Sequence, residues 1–210
     1  MVRHIIDIYY QNDVEPAAAQ AKDAVAIIHK ASEALHFRDP RYQDRRQAAR
    51  DLGMLWGAYH LSSAQDPEDQ VDFFLETIGE IEDDVLLALD WEASAHHGQA
   101  STDQTHIFIS SLHDRTGRYP VLYGGHTVRA ACENARDPLL ARCPLWYVRY
   151  RATPLGLPTN TWDSYTLWQY SNGNPNVDEL PAPTYDLGGA DWNRYAGTIE
   201  QLRGSWPFSA

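Results

Sequence analysis

Two hydrophobic rhythms alternate along this chain. Short apolar runs of strand length occupy residues 4–10 (HIIDIYY), 25–32 (VAIIHKAS), 54–63 (MLWGAYHLSS), 84–94 (DVLLALDWEAS) and 119–125 (YPVLYGG). Between and after them, residues 15–24, 39–53, 66–81, 101–117 and 126–141 carry helical spacing. The punctuation agrees. Pro16 stands where a first helical turn tolerates proline, the helix at 66–81 starts acidic, and Ser101, Gly53 and Gly117 mark helix ends. Beyond residue 141 the rhythm changes. Residues 145–150 (LWYVRY), 165–171 (YTLWQYS) and 190–197 (ADWNRYAG) are short aromatic strands joined by loops of Pro, Gly, Asn and Asp, with no helix between them. The chain shows no repeat, low-complexity segment or linker.

Five βα units followed by three strands give an α/β protein with a parallel sheet and helices outside it. Eight strands in one unit predict closure into an eight-stranded β/α barrel of the TIM-barrel kind. That barrel has about five helices, and its last three strands lack crossover helices. A doubly wound open sheet is the competing architecture. It needs a glycine-rich phosphate turn after the first strand, and YYQNDVEP contains no glycine. The 210 residues are expected to form one domain over 1–210, with no repeat domain.

Composition narrows the partners. The chain is 43% hydrophobic and 22% charged, with a net charge of −12. Nucleic acid and anionic membranes need a basic footprint, so neither is expected as the main partner. The apolar piece near the N-terminus is interrupted by Asp7, and no run approaches the roughly 18–20 apolar residues of a membrane span. Synthesis in the cytoplasm without a cleaved export signal is therefore expected. Cys132 and Cys143 make neither a disulfide framework nor a zinc site, although a single bridge between them stays open. His96–His97 reads as a polar loop, because no other cluster has metal-ligand spacing. No cofactor or metal is expected.

Active sites of β/α barrels lie at the C-terminal ends of the strands. The strands carry there, in order, Asp7, Tyr9 and Tyr10; Lys30 and Glu33; Tyr59 and His60; Asp90 and Glu92; Tyr123; Trp146 and Tyr150; Trp168, Gln169 and Tyr170; and Asp191 and Asn193. Aromatic rings stack on the C–H faces of sugars, and carboxylates bond hydroxyls and move protons. Asp90 and Glu92 fall on one face of a strand, with β-carbons about 6.5–7 Å apart. Close carboxylates push their pKa values apart, so one can stay protonated near neutral pH, as hydrolysis of a glycosidic bond requires. Each residue also has an ordinary use. Asp-x-Glu after a strand can be a helix cap beside a loop charge, and Lys30 can be an ion-pair partner of Glu33 rather than a Schiff-base lysine. Trp91 is expected to pack under the helices, and Trp162 and Trp206 to be structural. The shared rim position is what favours chemistry.

These pieces together resemble the family 25 glycoside hydrolases, the N-acetylmuramidases or lysozymes of bacteria and phages. The resemblance runs from IIDIYYQNDV to ADWNRYAGTIEQL, through AIIHKASEALHFRDPRY, GMLWGAYHLSS, LLALDWE, YPVLYGG, LWYVRY and LWQYSNG. It implies a partly helix-stripped β/α barrel that cleaves the β-1,4 bond between N-acetylmuramic acid and N-acetylglucosamine in peptidoglycan glycan strands. By position, Glu92 would be the general acid, Asp90 the second essential carboxylate, and Asp7 and Asp191 acidic residues of the cleft. Tyr9, Lys30, Tyr59, Tyr123, Trp146, Tyr150, Trp168, Gln169 and Asn193 would shape the sugar sites. Three departures stand near the cleft: Asp7-Ile8-Tyr9 lacks the serine common in the family, Ser32 replaces threonine, and Ala34 replaces glycine. Such an enzyme would be a single catalytic domain over 1–210 with no cell-wall-binding repeat domain, and would reach the wall after release or through dedicated export. Rival readings are a chitinase-type glycosidase, whose longer acidic motif fails at Val85 and Ala88, a catalytically silent glycan- or protein-binding barrel, and a metal-dependent deacetylase.

Overall fold

A strand buried on both faces needs apolar neighbours on each, and β1 (His4–Ile8) is buried along its whole length. The structure, a computed structural model, describes residues 4–173 and 187–208. After β1 come α1 (Pro16–Ala21), β2 (Ala24–Glu33), β3 (Phe37–Arg38), α2 (Tyr42–Asp51), β4 (Leu55–Leu61), α3 (Pro67–Ile78) and β5 (Val85–Asp90). Then follow α4 (Thr102–Thr116), β6 (Val121–Gly124), α5 (His126–Ala131), a 3-10 turn at Leu140–Arg142, β7 (Leu145–Val148), β8 (Leu167–Ser171), β9 (Asp191–Tyr195) and α6 (Ile199–Ser205). The sheet runs β1-β9-β8-β7-β6-β5-β4-β2, and β1 also pairs with β2. That last pairing closes an eight-stranded barrel and rules out the open doubly wound sheet. The two-residue β3 lies outside the ring as a hairpin arm on β2.

Alternation along the strands sorts side chains into two cores. Inside the barrel, Ile5, Ala26, Ile28, Leu86, Ala88 and Leu167 pack on one another. Small residues make room there: a Cβ added at Gly57 would lie 3.2 Å from Leu86 Cδ2 and 3.3 Å from Ile28. Outside, Ile6, Ile8, Ile27, Leu87, Leu89 and Trp91 meet the helices, with Phe74 of α3 and Phe108 of α4. Trp91 therefore packs as the sequence predicts, and its Nε1 donates to Ala100 O at 2.8 Å.

The ends of the helices follow their sequence signals. Asp66 accepts from the backbone N–H groups of Glu68 and Asp69 at the start of α3, while α4 opens on a Ser101/Gln104 capping box and ends at Gly117 in the left-handed region.

Four expectations need correction. The helical spacing over 126–141 yields only α5 and the short 3-10 turn. Pro138 has no N–H to continue a helix, and Asp137 instead accepts from Leu139 N and Leu140 N at 3.0 and 2.9 Å. The short β3 arm is absent from the sequence-based element order. A sixth helix, α6, follows the last strand. Its Leu202 and Trp206 join the inner core, and Trp206 Nε1 donates to Asp84 O, just before β5, at 2.9 Å. The helix thus plugs the N-terminal mouth of the barrel. Finally, the ring is not wholly parallel: β9 runs antiparallel to both β8 and β1. Asp191 consequently begins its strand, yet stands beside Asp7 at the same rim as the C-terminal ends of the parallel strands.

Candidate active site

The register brings the polar residues together row by row. Asp7 lies opposite Asp191, Gln169 opposite Asn193, Lys30 opposite Tyr59, Asp90 opposite Tyr123, and Tyr123 opposite Trp146. All face the barrel axis at one end, above the apolar interior. Asp90 is the last residue of β5, and Glu92 follows just past it.

Hydrogen bonds divide these groups into two sets. Asp7 is 8% exposed and accepts from Gln169 Nε2 at 3.0 Å on each carboxylate oxygen and from Asn193 Nδ2 at 2.7 Å. Gln169 Nε2 also lies 3.0 Å from Asp191 Oδ2. In turn Gln169 Oε1 accepts from the hydroxyls of Tyr123 and Tyr150 at 2.8 and 3.1 Å, and Trp146 Nε1 donates to Asn193 Oδ1 at 2.6 Å. Asp90 and Glu92 receive nothing comparable. Asp90 Oδ1 is buried without a hydrogen-bond partner, and no hydrogen bond from the described residues reaches the Glu92 carboxyl.

The electrostatics follow from burial. Withdrawal from water raises the Asp7 carboxyl to about 6, against the pull of the Gln169 and Asn193 amides, and the Glu92 charge adds to the rise. Burial, then the neighbouring Glu92 charge, lifts Asp90 well above the carboxylate range, only partly opposed by Lys30. Burial raises Glu92 as well. A proton is therefore retained in this cluster near neutral pH. The Tyr59, Tyr123 and Tyr150 hydroxyls are pushed up by burial and stay neutral.

Lys30 and Glu33 form a close ion pair, and Ser94 Oγ donates to Glu33 at 2.8 Å. Burial alone would raise Glu33, but the bonds from Lys30 and Ser94 outweigh it and hold it below its usual value. A register shift between Lys30 and Ser32 makes this pairing possible, because three residues apart would otherwise place them on opposite faces. The next residue, Ala34, is fully buried at a positive φ of 49°. Only glycine takes that conformation freely, so the alanine is strained there.

The expected sugar-contacting residues separate into three groups. Tyr9, Tyr59 and Tyr150 keep partial exposure at the rim. Tyr123, Trp146, Gln169 and Asn193, at 7%, 2%, 1% and 0% exposure, form the floor beneath the carboxylates. Trp168 does not reach the cleft: its side chain belongs to the outer core, 3% exposed, with Nε1 donating to Arg149 O. Tyr170 and His60 likewise face outward, His60 stacked on Phe108. Strand alternation is the reason, since Leu167 and Gln169 point inward.

Sequence reasoning missed several supporting residues. Phe37 and Ala95 join Tyr9, Tyr10, Lys30, Glu33, His96 and His97, all named from the sequence, in lining a groove of about 290 Å³. Phe37 had no signal, because β3 was not legible. Behind the β1–α1 loop, Arg45 of α2 is 1% exposed and donates to Tyr9 O at 3.0 Å and Asn12 O at 2.7 Å. Asp39 accepts from Tyr10 N at 2.8 Å. Among the described residues, no group of three or more His, Cys, Asp or Glu could hold a metal ion, and Cys132 and Cys143 are buried free thiols.

A closed β/α barrel with four carboxyl groups collected at its open mouth defines the class: a barrel built for acid/base work on a bound ligand. The family model for glycosyl hydrolases family 25 matches residues 6–178, and the chain belongs to that family. The uncharacterized protein YegX of Escherichia coli O6:H1 is 29% identical over 184 residues, covering 83% of this chain and 60% of YegX. The chain thus spans about 60% of the length of that relative. An N,O-diacetylmuramidase of Arthroderma benhamiae is 26% identical over 205 residues, covering 92% of this chain and 82% of its own length. The solved structure of a muramidase from Acremonium alcalophilum superposes with a TM-score of 0.79 at 26% identity, over 97% of this chain and 98% of that one.

Proposed function

We propose that this chain is a peptidoglycan hydrolase that cleaves the β-1,4 bond between N-acetylmuramic acid and N-acetylglucosamine. The observation that carries the proposal is the Asp90/Glu92 pair: two carboxyls at the mouth of the barrel, both pushed toward protonation, with no hydrogen bond from the described residues on Asp90 Oδ1 or on Glu92. Family membership and the muramidases among the relatives support the substrate.

In the proposed reaction Glu92 delivers its proton to the glycosidic oxygen as the C1–O bond breaks. Asp90 accepts the N–H of the 2-acetamido group, whose carbonyl oxygen attacks C1 to give an oxazolinium ion. Water then adds to C1, its proton passing to Glu92, and the ring opens back to the acetamide with retained configuration. Asp7 and Asp191 hold negative charge beside the developing oxocarbenium ion. Tyr9, Tyr59 and Tyr150 are the aromatic groups with surface left to touch sugar. Action at the cell wall, after release or dedicated export, belongs to the same proposal.

The test is digestion of purified peptidoglycan by wild type and Glu92→Gln, with products reduced by borohydride and read by mass spectrometry. Reduced muramic acid ends from wild type, with a rate lower by about 10²–10⁴ in the variant, are expected. Reduced glucosamine ends would move the bond. Product of inverted anomeric configuration, read by NMR, would exclude assistance by the acetamido group. No cleavage by wild type would leave a glycan-binding barrel as the better description.

A further inference from the structure

Gln169 is a buried amide at the junction of four polar groups. Its orientation is fixed by chemistry, because two carboxylates on one side can only be satisfied by a donor, which leaves the acceptor for the two phenols on the other. An amide nitrogen carries two hydrogens. Nε2 lies 3.0 Å from both oxygens of Asp7 and 3.0 Å from Asp191 Oδ2, so one hydrogen is shared across the Asp7 carboxylate and the other serves Asp191. The Tyr123 and Tyr150 hydroxyls both donate to Oε1 and so keep the amide from turning over. Asp90 Oδ1, in the same cleft, is buried with no donor at all.

We propose that Gln169 is a positioning residue that partitions protons among the carboxyls of the cleft: by directing one amide hydrogen to Asp7 and one to Asp191 it favours their anions, and so assigns the retained proton to Asp90 and Glu92. A hydrogen bond donated to a carboxylate stabilises its charged form, and each anion so held raises the cost of a further charge nearby. Asn193 Nδ2 adds a second donor on Asp7. The other ionisable groups facing the cluster do not undo this order. Lys30 of β2 is bound to Glu33, and the phenols of Tyr59, Tyr123 and Tyr150 stay neutral. The reach of Gln169 to substrate is nil at 1% exposure, so its effect passes through the two aspartates.

This inference rests on the hydrolase proposal, and its test separates the two. In wild type with ¹³C-labelled aspartate and glutamate, assigned through single substitutions, carboxyl shifts followed by NMR are expected to show Asp7 losing its proton at lower pH than Asp90. Asp90 ionising first would overturn the inference without any change to Gln169. The second measurement is kcat and KM on soluble glycan fragments across pH for wild type, Gln169→Met and Gln169→Glu. Gln169→Met, similar in volume but without donors, is expected to raise the acidic limb of the profile by about one unit and lower the basic limb. Its kcat should fall at least about tenfold while KM changes less than about threefold. Gln169→Glu, which turns the donor into a further acceptor, should move the acidic limb further. Active variants with both limbs unmoved would refute proton partition and leave Gln169 a packing residue. A wild type that cuts no glycan would refute the hydrolase reading instead.

Discussion

Arg45 shows how much of the cleft is held from behind. It belongs to α2, outside the barrel, and its guanidinium is buried, yet it touches no residue of the carboxyl cluster. Nη1 donates to Tyr9 O at 3.0 Å and Nη2 to Asn12 O at 2.7 Å, while Nε finds no partner. Replacement by methionine keeps most of the stem and strands both carbonyls, and it also takes Nη1 from His29 Nε2, 3.2 Å away. An unsatisfied buried acceptor costs about 1–3 kcal/mol, so the two cost roughly 2–6 kcal/mol. Relief of the desolvated charge and its unpartnered Nε returns part of that, leaving a net loss of about 3 kcal/mol. At roughly 2–4 °C per kcal/mol for a chain of this size, Tm should fall by about 6–12 °C. Calorimetry at neutral pH measures the fall. Since the loop carries Tyr9 to the rim, KM on glycan fragments should rise by about three- to tenfold with kcat within about twofold. Arg45→Lys has one nitrogen where the fork has two, and should recover only part of either loss. A methionine variant with Tm within about 2 °C of wild type and an unchanged KM would refute the claim that Arg45 holds this loop.

Three further predictions test other parts of the molecule. Asp90→Asn, which keeps shape and an acceptor oxygen but loses the carboxylate charge that would face the oxazolinium ion, should lower kcat by about 10²–10³ with little change in Tm; retention of most activity would remove Asp90 from the reaction. His29 and His60 are fully buried and held down to about 3 and about 4, first by burial, against 6.5 in the unfolded chain. Their stabilising contribution is complete above pH 6.5 and is lost as pH falls toward those folded values, by about 1.4 kcal/mol each between pH 7.5 and 5.5. Asp7, raised to about 6, acts in the opposite sense, gaining about 0.8 kcal/mol over the same interval. Urea unfolding at the two pH values should therefore show a His60→Gln variant losing about 1.4 kcal/mol less than wild type, and equal losses would disprove a neutral His60. Ala34→Gly relieves a left-handed alanine and should raise stability by about 0.5–1 kcal/mol once the freer unfolded chain is counted; a lower urea midpoint would contradict the strain.

The strands were the most legible part of the chain. Ile5 to Ile8, Val85 to Leu89 and the aromatic closing strands carry their burial in their composition, and the count of eight gave the closed ring. Direction was not legible for β9, because a short aromatic strand reads the same either way. Its orientation is set by partners far apart in sequence, Asp7 and Ile5 on one side and Gln169 on the other. The α6 helix did carry a signal, the Thr198-x-x-Gln201 capping box ahead of Leu202, but seven residues show too little periodicity to find it. In the site, strand alternation was enough to place Asp7, Asp90, Gln169 and Asn193 on the axis. The same rule, applied strictly, would have turned Trp168 outward. Arg45 and Ser94 could not be found this way, since a buried helix arginine and a loop serine become supports only through contacts across 36 and 61 residues.

The antiparallel β9 also fixes when the site can exist during synthesis. Asp7 leaves the ribosome 162 residues ahead of Gln169 and 186 residues ahead of Asn193, its amide partners. Until β9 slots between β8 and β1, the ring is open, Asp191 is absent from the rim and the Asp7 carboxylate lacks the Asn193 donor. A nascent or proteolysed chain that stops short of β9 therefore holds Asp90 and Glu92 without the ordered cleft around them. Completion of the carboxyl cluster therefore waits on β9, which ties the proposed activity to possession of a finished barrel.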